Sequence, residues 1–415
     1  MNLEGAPAPH PTRQVLVLVN TDHEDTPYDE WAAGTDLQLT LLCSEEKAPG
    51  YRHLPRVWSF PNYRTNGQVE QTALRLAKEI GFCALFAKGE VDILRAGRLR
   101  DALGLPGQGF QSALVFRDKL LMKARLREGG VPVAVAARVT TACDLLEFVE
   151  AHGLPVVIKP VLGSGSLDTR VIRDEAALEA LLVRGIAPDM AVEKFVEGTM
   201  YHVDGLMAHS EVVEIHPSTY VNDCLSFQRD EFLGGYLLRE AHPLRERLNR
   251  FTRQALRALP TPPHMTFHAE VWHTPDDRLV LCEIASRTAG CRFNTTFELG
   301  RGFNLDRNWF NAQCGLPVDV PPARSPGADG RMSGWCVVYP RAGLLTGLPE
   351  GTPPPGVHQL RLNGRPGQTH HGGYKSGDYL AGFILKGESE EQLQSRIREA
   401  ATWFEGHTTW RKEQP

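Results

Sequence analysis

The first hundred residues alternate between continuous apolar runs and amphipathic stretches. Residues 14–20 (QVLVLVN) are apolar without interruption, the pattern of a strand covered on both faces of its sheet. Residues 37–43, 57–60 and 83–87 also read as strands. Residues 68–80 place Val69, Ala73, Leu76, Ala77 and Ile80 at helical spacing. This alternation predicts an open α/β unit ending near the glycine-rich stretch 103–107. No Gly-x-Gly-x-x-Gly follows the first strand, so a dinucleotide-binding reading lacks support.

Further along, 112–129 reads as one amphipathic helix region stopped by Gly129-Gly130. Helices are predicted over 140–152, 174–182, 244–259 and 304–314, and strands over 155–159, 190–196 and 201–207. Residues 208–240 show no readable period and are expected to hold a mobile, substrate-facing loop. In the tail, 317–331 has linker composition, 334–339 and 379–386 are strand-like, and Ser389-Glu390-Glu391-Gln392 is a capping-box signature opening a helix to about 404. Residues 1–13 read as a loose tail. The resulting division is 1–110, 111–207, 208–320 and 321–415.

The stretch 267–290 organises the chain's chemistry. Two apolar runs flank Thr274-Pro275-Asp276-Asp277, the pattern of a β-hairpin. Alternation puts His268, Glu270 and Trp272 on one face of the first strand, and Leu279, Leu281 and Glu283 on one face of the second. Glu270 then falls opposite Leu281 or Glu283. Two carboxylates this close on an apolar hairpin repel each other unless a cation sits between them. Hard oxygen ligands favour Mg²⁺, and Arg287 adds a fixed positive charge. The plain alternative, a sheet edge carrying solvated acids, carries equal weight for the hairpin taken alone.

A second basic feature lies upstream. Lys159 closes a strand and leads into Pro160-Val161-Leu162-Gly163-Ser164-Gly165-Ser166. A small-residue loop lets backbone N–H groups approach a phosphate closely. No Gly-Lys-Ser/Thr is present there, so this is not a Walker A loop. Glu90 and Asp92, after a strand, are either substrate contacts or solvated loop acids. His370-His371 suits a polar loop better than a metal site.

Composition narrows the class. The 415 residues allow two or three domains, and 42% apolar with 23% charged content is ordinary for a soluble globular protein. A formal net charge of −5 argues against a nucleic-acid partner. The cysteines are scattered without Cys-x-x-Cys or zinc spacing, which fits reduced, buried thiols in the cytoplasm. No apolar run approaches the roughly 20 residues a membrane span needs, and residues 1–13 lack a signal peptide's apolar core. The expectation is a soluble cytoplasmic protein with no nucleic-acid or membrane partner.

Motif order makes the pattern specific: Asp118-Lys119, then Ile158-Lys159-Pro160 with its Gly/Ser loop, then Glu193-Lys194-Phe195-Val196-Glu197-Gly198, then Glu270, Glu283 and Arg287. Over roughly residues 14–300 this order resembles the ATP-grasp superfamily. The resemblance implies an α/β fold: an N-terminal open α/β domain, a small lid, and a C-terminal α+β domain carrying the metal hairpin. It implies that Lys119 and Lys159 hold ATP phosphates, that Gly163, Ser164, Gly165 and Ser166 fold over them, and that Glu193, Lys194, Phe195 and Val196 line the adenine pocket. Backbone atoms of Glu193 and Lys194 would serve adenine, leaving their side chains dispensable. Glu270 and Glu283 would hold Mg²⁺, with Mn²⁺ as a substitute.

The run Glu283-Ile284-Ala285-Ser286-Arg287 has alanine where many members place a metal-binding asparagine. The form Glu-Ile-Ala-x-Arg-x-x-Gly is similar to the L-amino acid ligases and related dipeptide-forming carboxylate–amine ligases of antibiotic biosynthesis. That resemblance implies ATP-dependent amide formation from a carboxylic acid and an amine through an acyl phosphate. Arg287 and Lys159 would be catalytic, Arg287 and His268 would contact substrate, and a homodimer is the family-based expectation. Met200 stands where many relatives have a ribose-binding glutamate, a contact left to Glu197 or Asp204. Two other classes stay open: an ATP-grasp enzyme with another acceptor, such as a carboxylase or non-peptide ligase, and a non-catalytic nucleotide-binding module.

Overall fold

The computed structural model describes residues 12–229, 231–321 and 332–411. The expected N-terminal tail and the greater part of the expected linker lie outside these residues. The chain begins with β1 (Arg13–Val19), α1 (Tyr28–Ala32), β2 (Leu37–Ser44), β3 (Val57–Phe60), α2 (Gln68–Glu79), β4 (Ala84–Ala87) and α3 (Ile93–Leu103). The strands form a parallel sheet in the order β3-β2-β1-β4. The unbroken apolar run of β1 has the predicted cause. Leu16 and Leu18 pack against Ala73 and Leu76 of α2 and Ala96 and Leu99 of α3. Val15, Val17 and Val19 face a cluster containing Trp309 and Phe310.

The helix expected over 112–129 is two helices, α4 (Phe110–Arg117) and α5 (Lys119–Glu128). Asp118 between them is extended, and its carboxylate accepts from the N–H groups of Leu120 and Leu121 at 2.9 and 3.0 Å. An N-cap of this kind satisfies amides that a helix start leaves unpaired, and here it resets the helix phase.

A small antiparallel unit follows: β5 (Ala136–Val139), α6 (Ala142–His152), β6 (Val156–Pro160), β7 (Arg170–Ile172), α7 (Glu175–Arg184) and β8 (Met190–Lys194), with strand order β5-β8-β6-β7. Its own core joins Leu145 and Phe148 of α6 and Leu178 and Leu181 of α7 to Val156, Ile158 and Val192.

The rest is built on one eight-stranded sheet. Its elements are β9 (Thr199–Ala208), β10 (Glu211–Tyr220), β11 (Leu233–Leu237), α8 (Arg245–Ala258), β12 (Met265–His273), β13 (Leu279–Ala285), α9 (Phe293–Arg301), α10 (Leu305–Gln313), β14 (Met332–Val338), β15 (Ala342–Gly347), β16 (Val357–Leu362), β17 (Thr369–His371), β18 (Ala381–Gly387), α11 (Glu390–His407) and β19 (Thr409–Arg411). The large sheet runs β13-β12-β9-β10-β11-β14-β18-β16, and β17-β15-β19 form a small one. Residues of α8 and α11 join the core cluster on one face, and residues of α9 and α10 the cluster on the other. The stretch 208–240 is therefore mostly sheet, with β10 and β11 inside it, and not a mobile loop. The ten-residue β10 holds the buried polar residues Glu214, His216, Ser218 and Thr219, which broke the apolar period. The divisions expected after 207 and after 320 fall within this one sheet. All eight cysteines are free, but Cys83 and Cys143 are exposed, so the thiols are not all buried as expected. Among the described residues, no helix is long and apolar enough to cross a membrane.

One buried group makes the fold acid-sensitive. His216 is 2% exposed and donates from Nε2 to the Leu238 carbonyl at 2.8 Å. Burial, helped by the charge of Arg301, pushes its pKa down to about 3. The unfolded chain therefore binds a proton that the folded chain refuses below the ordinary histidine pKa of 6.5, and stability falls as pH drops from there toward 3. At pH 5 the loss from this group is expected to be about 2 kcal/mol. Urea unfolding at pH 7 and pH 5 checks it: the difference should shrink in His216→Gln.

Candidate functional site

The metal hairpin owes its geometry to a bulge. β12 and β13 pair Trp272 with Val280 and Val271 with Leu281, then slip so that Glu270 faces Glu283. Phe267, Ala269 and Val271 point into the core at 0% exposure, while His268, Glu270 and Trp272 line a cavity of about 700 Å³. The slip changes the second strand. Leu279 and Leu281 belong to the core cluster, and Cys282 and Glu283 both line the cavity. The expected shared face for Leu279, Leu281 and Glu283 is thus corrected: the extra residue of a bulge breaks the strand's alternation and re-aims the side chains beyond it. The result is two glutamates directly opposite each other at the cavity wall.

Lysines converge on the same wall. Lys119 and Lys123, four residues apart on α5, lie on one helix face. Lys119 Nζ donates to the Gly163 carbonyl at 2.6 Å and lies 3.4 Å from Glu283. Lys123 Nζ donates to the Cys282 carbonyl at 2.7 Å and lies 3.4 Å from Glu193. Lys159 Nζ is 3.1 Å from the other oxygen of Glu193. Burial pulls the Lys159 ammonium down, but the Cys282 sulfur, Glu193 and Glu283 together hold it well above its ordinary pKa. Burial pushes Glu283 up, and Lys119, Lys159 and Lys123 overcome this, holding it at about 2. Glu193 is also lowered: burial raises it, and Lys123 and Lys159 outweigh that.

Sequence reasoning treated the Glu193 side chain as dispensable. It sits instead between two buried ammoniums. Lys194, its neighbour, points the other way and donates to the carbonyls of His152 and Gly153 at 2.7 and 3.1 Å. Phe195 and Val196 line the cavity where β8 ends, with the Arg173 guanidinium 5.2 Å over the Phe195 ring. Lys123 was not singled out from sequence. Its i+4 spacing from Lys119 was the available signal.

Arg287 lines the cavity but pairs with Glu90, not Glu283; it also donates to the Thr288 carbonyl at 2.9 Å. Glu90 is clamped by Arg117 as well. Burial raises the Glu90 carboxyl, and Arg287 and then Arg117 bring it below its usual range. Glu90 is thus a buttress and not a solvated loop acid. Asp92 is fully buried and paired with Arg95 at 2.9 Å, so it is structural and not a substrate contact.

Gly163, Ser164, Gly165 and Ser166 line the cavity opposite the hairpin. Gly165 has a left-handed φ of +63°, and a Cβ there would stand 2.9 Å from Ser376 Oγ. Its carbonyl accepts from the Ser376 N–H at 3.0 Å, so the segment after β17 closes over this loop. No sequence pattern pointed to Ser376. Gly165→Ala adds a left-handed penalty of about 1–2 kcal/mol and a steric clash, and is expected to raise the KM for ATP roughly tenfold. ATP-dependent phosphate release would measure it.

The expected replacements for a ribose acid separate. Met200 is buried against the cavity, and Glu197 is exposed beside it. Asp204 is fully buried and held between two imidazoles: His202 Nδ1 donates at 2.5 Å and His268 Nδ1 at 2.9 Å. It has no free oxygen for a nucleotide. His268 also approaches Glu270, at 3.6 Å from Nε2. Burial pulls His268 down, but Asp204 and Glu270 raise it to about 10, which favours the charged ring beside Glu270. His370, on β17, packs against the Trp410 ring at 5.8 Å, so His370-His371 lies on a short strand and not in a polar loop.

The overall architecture is that of the ATP-grasp fold, with lysines and facing glutamates on one cavity. Residues 118–216 match the family described as the carbamoyl-phosphate synthase L chain ATP-binding domain. The structure is similar to that of an L-amino acid ligase from Bacillus licheniformis, with a TM-score of 0.75 at 17% identity, covering 97% of this chain and 99% of that one. Two sequence relatives narrow the class. An L-arginine-specific L-amino acid ligase of Bacillus subtilis is 29% identical over 309 residues, 70% of this chain and 72% of that protein. The alanine–anticapsin ligase of Bacillus subtilis strain 168 is 30% identical over 112 residues, 27% of this chain and 24% of that protein. The chain carries an ATP-grasp ATP-binding region, and its named relatives are carboxylate–amine ligases, which supports an ATP-dependent amide-forming ligase.

Proposed function

We propose that this enzyme joins two amino acids, or an amino acid and another amine, through an acyl phosphate in specialised-metabolite biosynthesis. The observation that carries the reading is the meeting of Lys119, Lys123, Lys159, Glu270, Glu283 and Arg287 on one cavity. Phosphoryl transfer needs chiefly positioning and charge neutralisation. Lys119, Lys159 and the Gly163–Ser166 loop hold the triphosphate, and Phe195 and Val196 bracket the base. A carboxylate oxygen of the acid attacks the γ-phosphorus as the bond to ADP breaks. The amine then attacks the acyl carbon, phosphate departs with the C–O electron pair, and the nitrogen sheds its proton. Arg287 donates to the oxyanion that develops at that carbon.

The donor set fits Mg²⁺: Glu270 and Glu283 are hard oxygen ligands face to face, and among the described residues the ion-pair partner of Glu270 is His268 at 3.6 Å. When bound, such an ion supplies charge neutralisation between the phosphates and these acids. Ala285 leaves the metal to these two glutamates, and Mn²⁺ serves as a substitute. The free cysteines and the family resemblance support a cytoplasmic homodimer.

The test is ADP and phosphate release with Mg·ATP across a matrix of amino acids, with mass spectrometry of the products. Turnover dependent on two substrates, with a product one water lighter than their sum and loss of activity in Glu283→Ala, supports the ligase. Bicarbonate-dependent turnover instead would assign a carboxylase.

A further inference from the structure

Beyond the hairpin, the cavity changes character. Its inner wall is built from Tyr220, Leu225, Leu233, Phe293 and Trp335, around the imidazole of His202. The rings of Tyr220 and Phe293 each lie 4.9 Å from that of His202, and Trp335 meets Tyr220 edge-on at 6.1 Å. His202 is 1% exposed, with Nδ1 committed to Asp204, yet its Nε2 has no hydrogen-bond partner among the described residues. Buried ring nitrogens without partners are costly and rare. A chamber of aromatic walls in which the His202 Nε2 and the Trp335 Nε1 lack partners among the described residues matches a ligand with an apolar body and few polar contacts.

The acids of the cavity are spoken for. Glu193 serves Lys123 and Lys159, Glu283 faces Lys119, Glu270 faces His268, and Asp223 pairs with Arg229 at 2.7 Å. Glu197 is exposed, next to the adenine-lining Phe195 and Val196. A guanidinium entering the inner chamber would therefore shed its water without gaining a carboxylate, a cost that aromatic faces repay only in part.

We propose that this chamber selects one of the two joined substrates as an amino acid with a neutral apolar or aromatic side chain, and rejects arginine. The specificity differs from that carried in the name of the arginine-specific relative. The inference rests on the amino-acid ligase reading above. His202 Nε2 meets the amino acid's polar end, while Tyr220, Phe293 and Trp335 enclose its side chain.

The experiment has two arms. In the first, turnover is measured with pairs containing leucine, methionine, phenylalanine, tyrosine or arginine at equal concentration. The best apolar or aromatic substrate is expected to exceed arginine at least about tenfold in kcat/KM. Arginine as the best substrate for both positions would overturn the inference and leave the ligase reading standing. In the second, thermal shift with Mg·ADP reads binding without turnover. A rise in Tm with phenylalanine or leucine but not arginine supports the chamber even if no ligation partner has been found; equal or larger rises with arginine overturn it. Leu225→Glu, at the half-buried member of this wall, places a carboxylate in the chamber and is expected to reduce the apolar-over-arginine preference several-fold. An unchanged preference in both this variant and Phe293→Leu would show that the chamber is not the selecting surface.

Discussion

Arg287→Ala is expected to lower kcat by about 10²–10³, equivalent to roughly 2.7–4 kcal/mol in the barrier, with little change in the KM for ATP. The physical reason lies in how the side chain is held. Glu90 and the Thr288 carbonyl fix two edges of the guanidinium, and Arg117 clamps Glu90 from the other side. On the proposed mechanism the remaining edge would meet charge that develops in the reaction without having to reorganise, which is where preorganised donors contribute most. Arg287→Lys keeps the charge but not the planar fork, so it should recover only part of the rate. Glu90→Gln keeps Arg287 present but loosens it, and should give a smaller loss of kcat. Single-turnover measurement of phosphate and amide formation separates these steps. An Arg287→Ala enzyme as fast as wild type would remove this residue from the chemistry.

Glu193→Ala is expected to cost about 3–5 kcal/mol of stability, because breaking a buried pair strands charges that cannot reach water. Two ammoniums would be stranded: Lys123 is 2% exposed and Lys159 is 6% exposed. Urea unfolding measures the loss. Mg·ATP should restore part of it, since a ligand that binds only the folded state stabilises by mass action and, on the proposed reading, its phosphates would bring negative charge to Lys159. Lys194→Ala is the control. Its side chain only caps carbonyls at the end of α6, so a loss within about 1 kcal/mol is expected. Equal losses in the two variants would contradict the different environments of these neighbours.

Much of the fold was legible because it depends on local periodicity. The strands of the N-terminal sheet, the helix after Ser389 and the hairpin around Thr274–Asp277 each declare themselves through spacing and turn chemistry. The Ser389 cap forms as its residue type predicts, with Oγ accepting from the Gln392 N–H at 3.2 Å. Gln392 itself reaches the Glu388 N–H at 2.7 Å and not that of Ser389. Where polar residues are buried in strands, as at Glu214, His216 and Ser218, the period fails and the sheet was unreadable.

What the sequence determined by itself was the order of chemical groups along the chain: a lysine opening α5, a lysine closing β6 before a small-residue loop, and two glutamates and an arginine on and after a hairpin. That order was enough to name the superfamily and branch, because the family's parts lie in sequence in a fixed succession. Tertiary structure decided which partner each group meets. The slip between β12 and β13 sets Glu270 against Glu283, Glu193 meets Lys123 and Lys159, and Glu90 rather than Glu283 takes Arg287. Each of these depends on contacts between segments distant in sequence, or on a one-residue change of phase, and electrostatic pairing in a buried cavity follows distance in space. No spacing along the chain carries that distance.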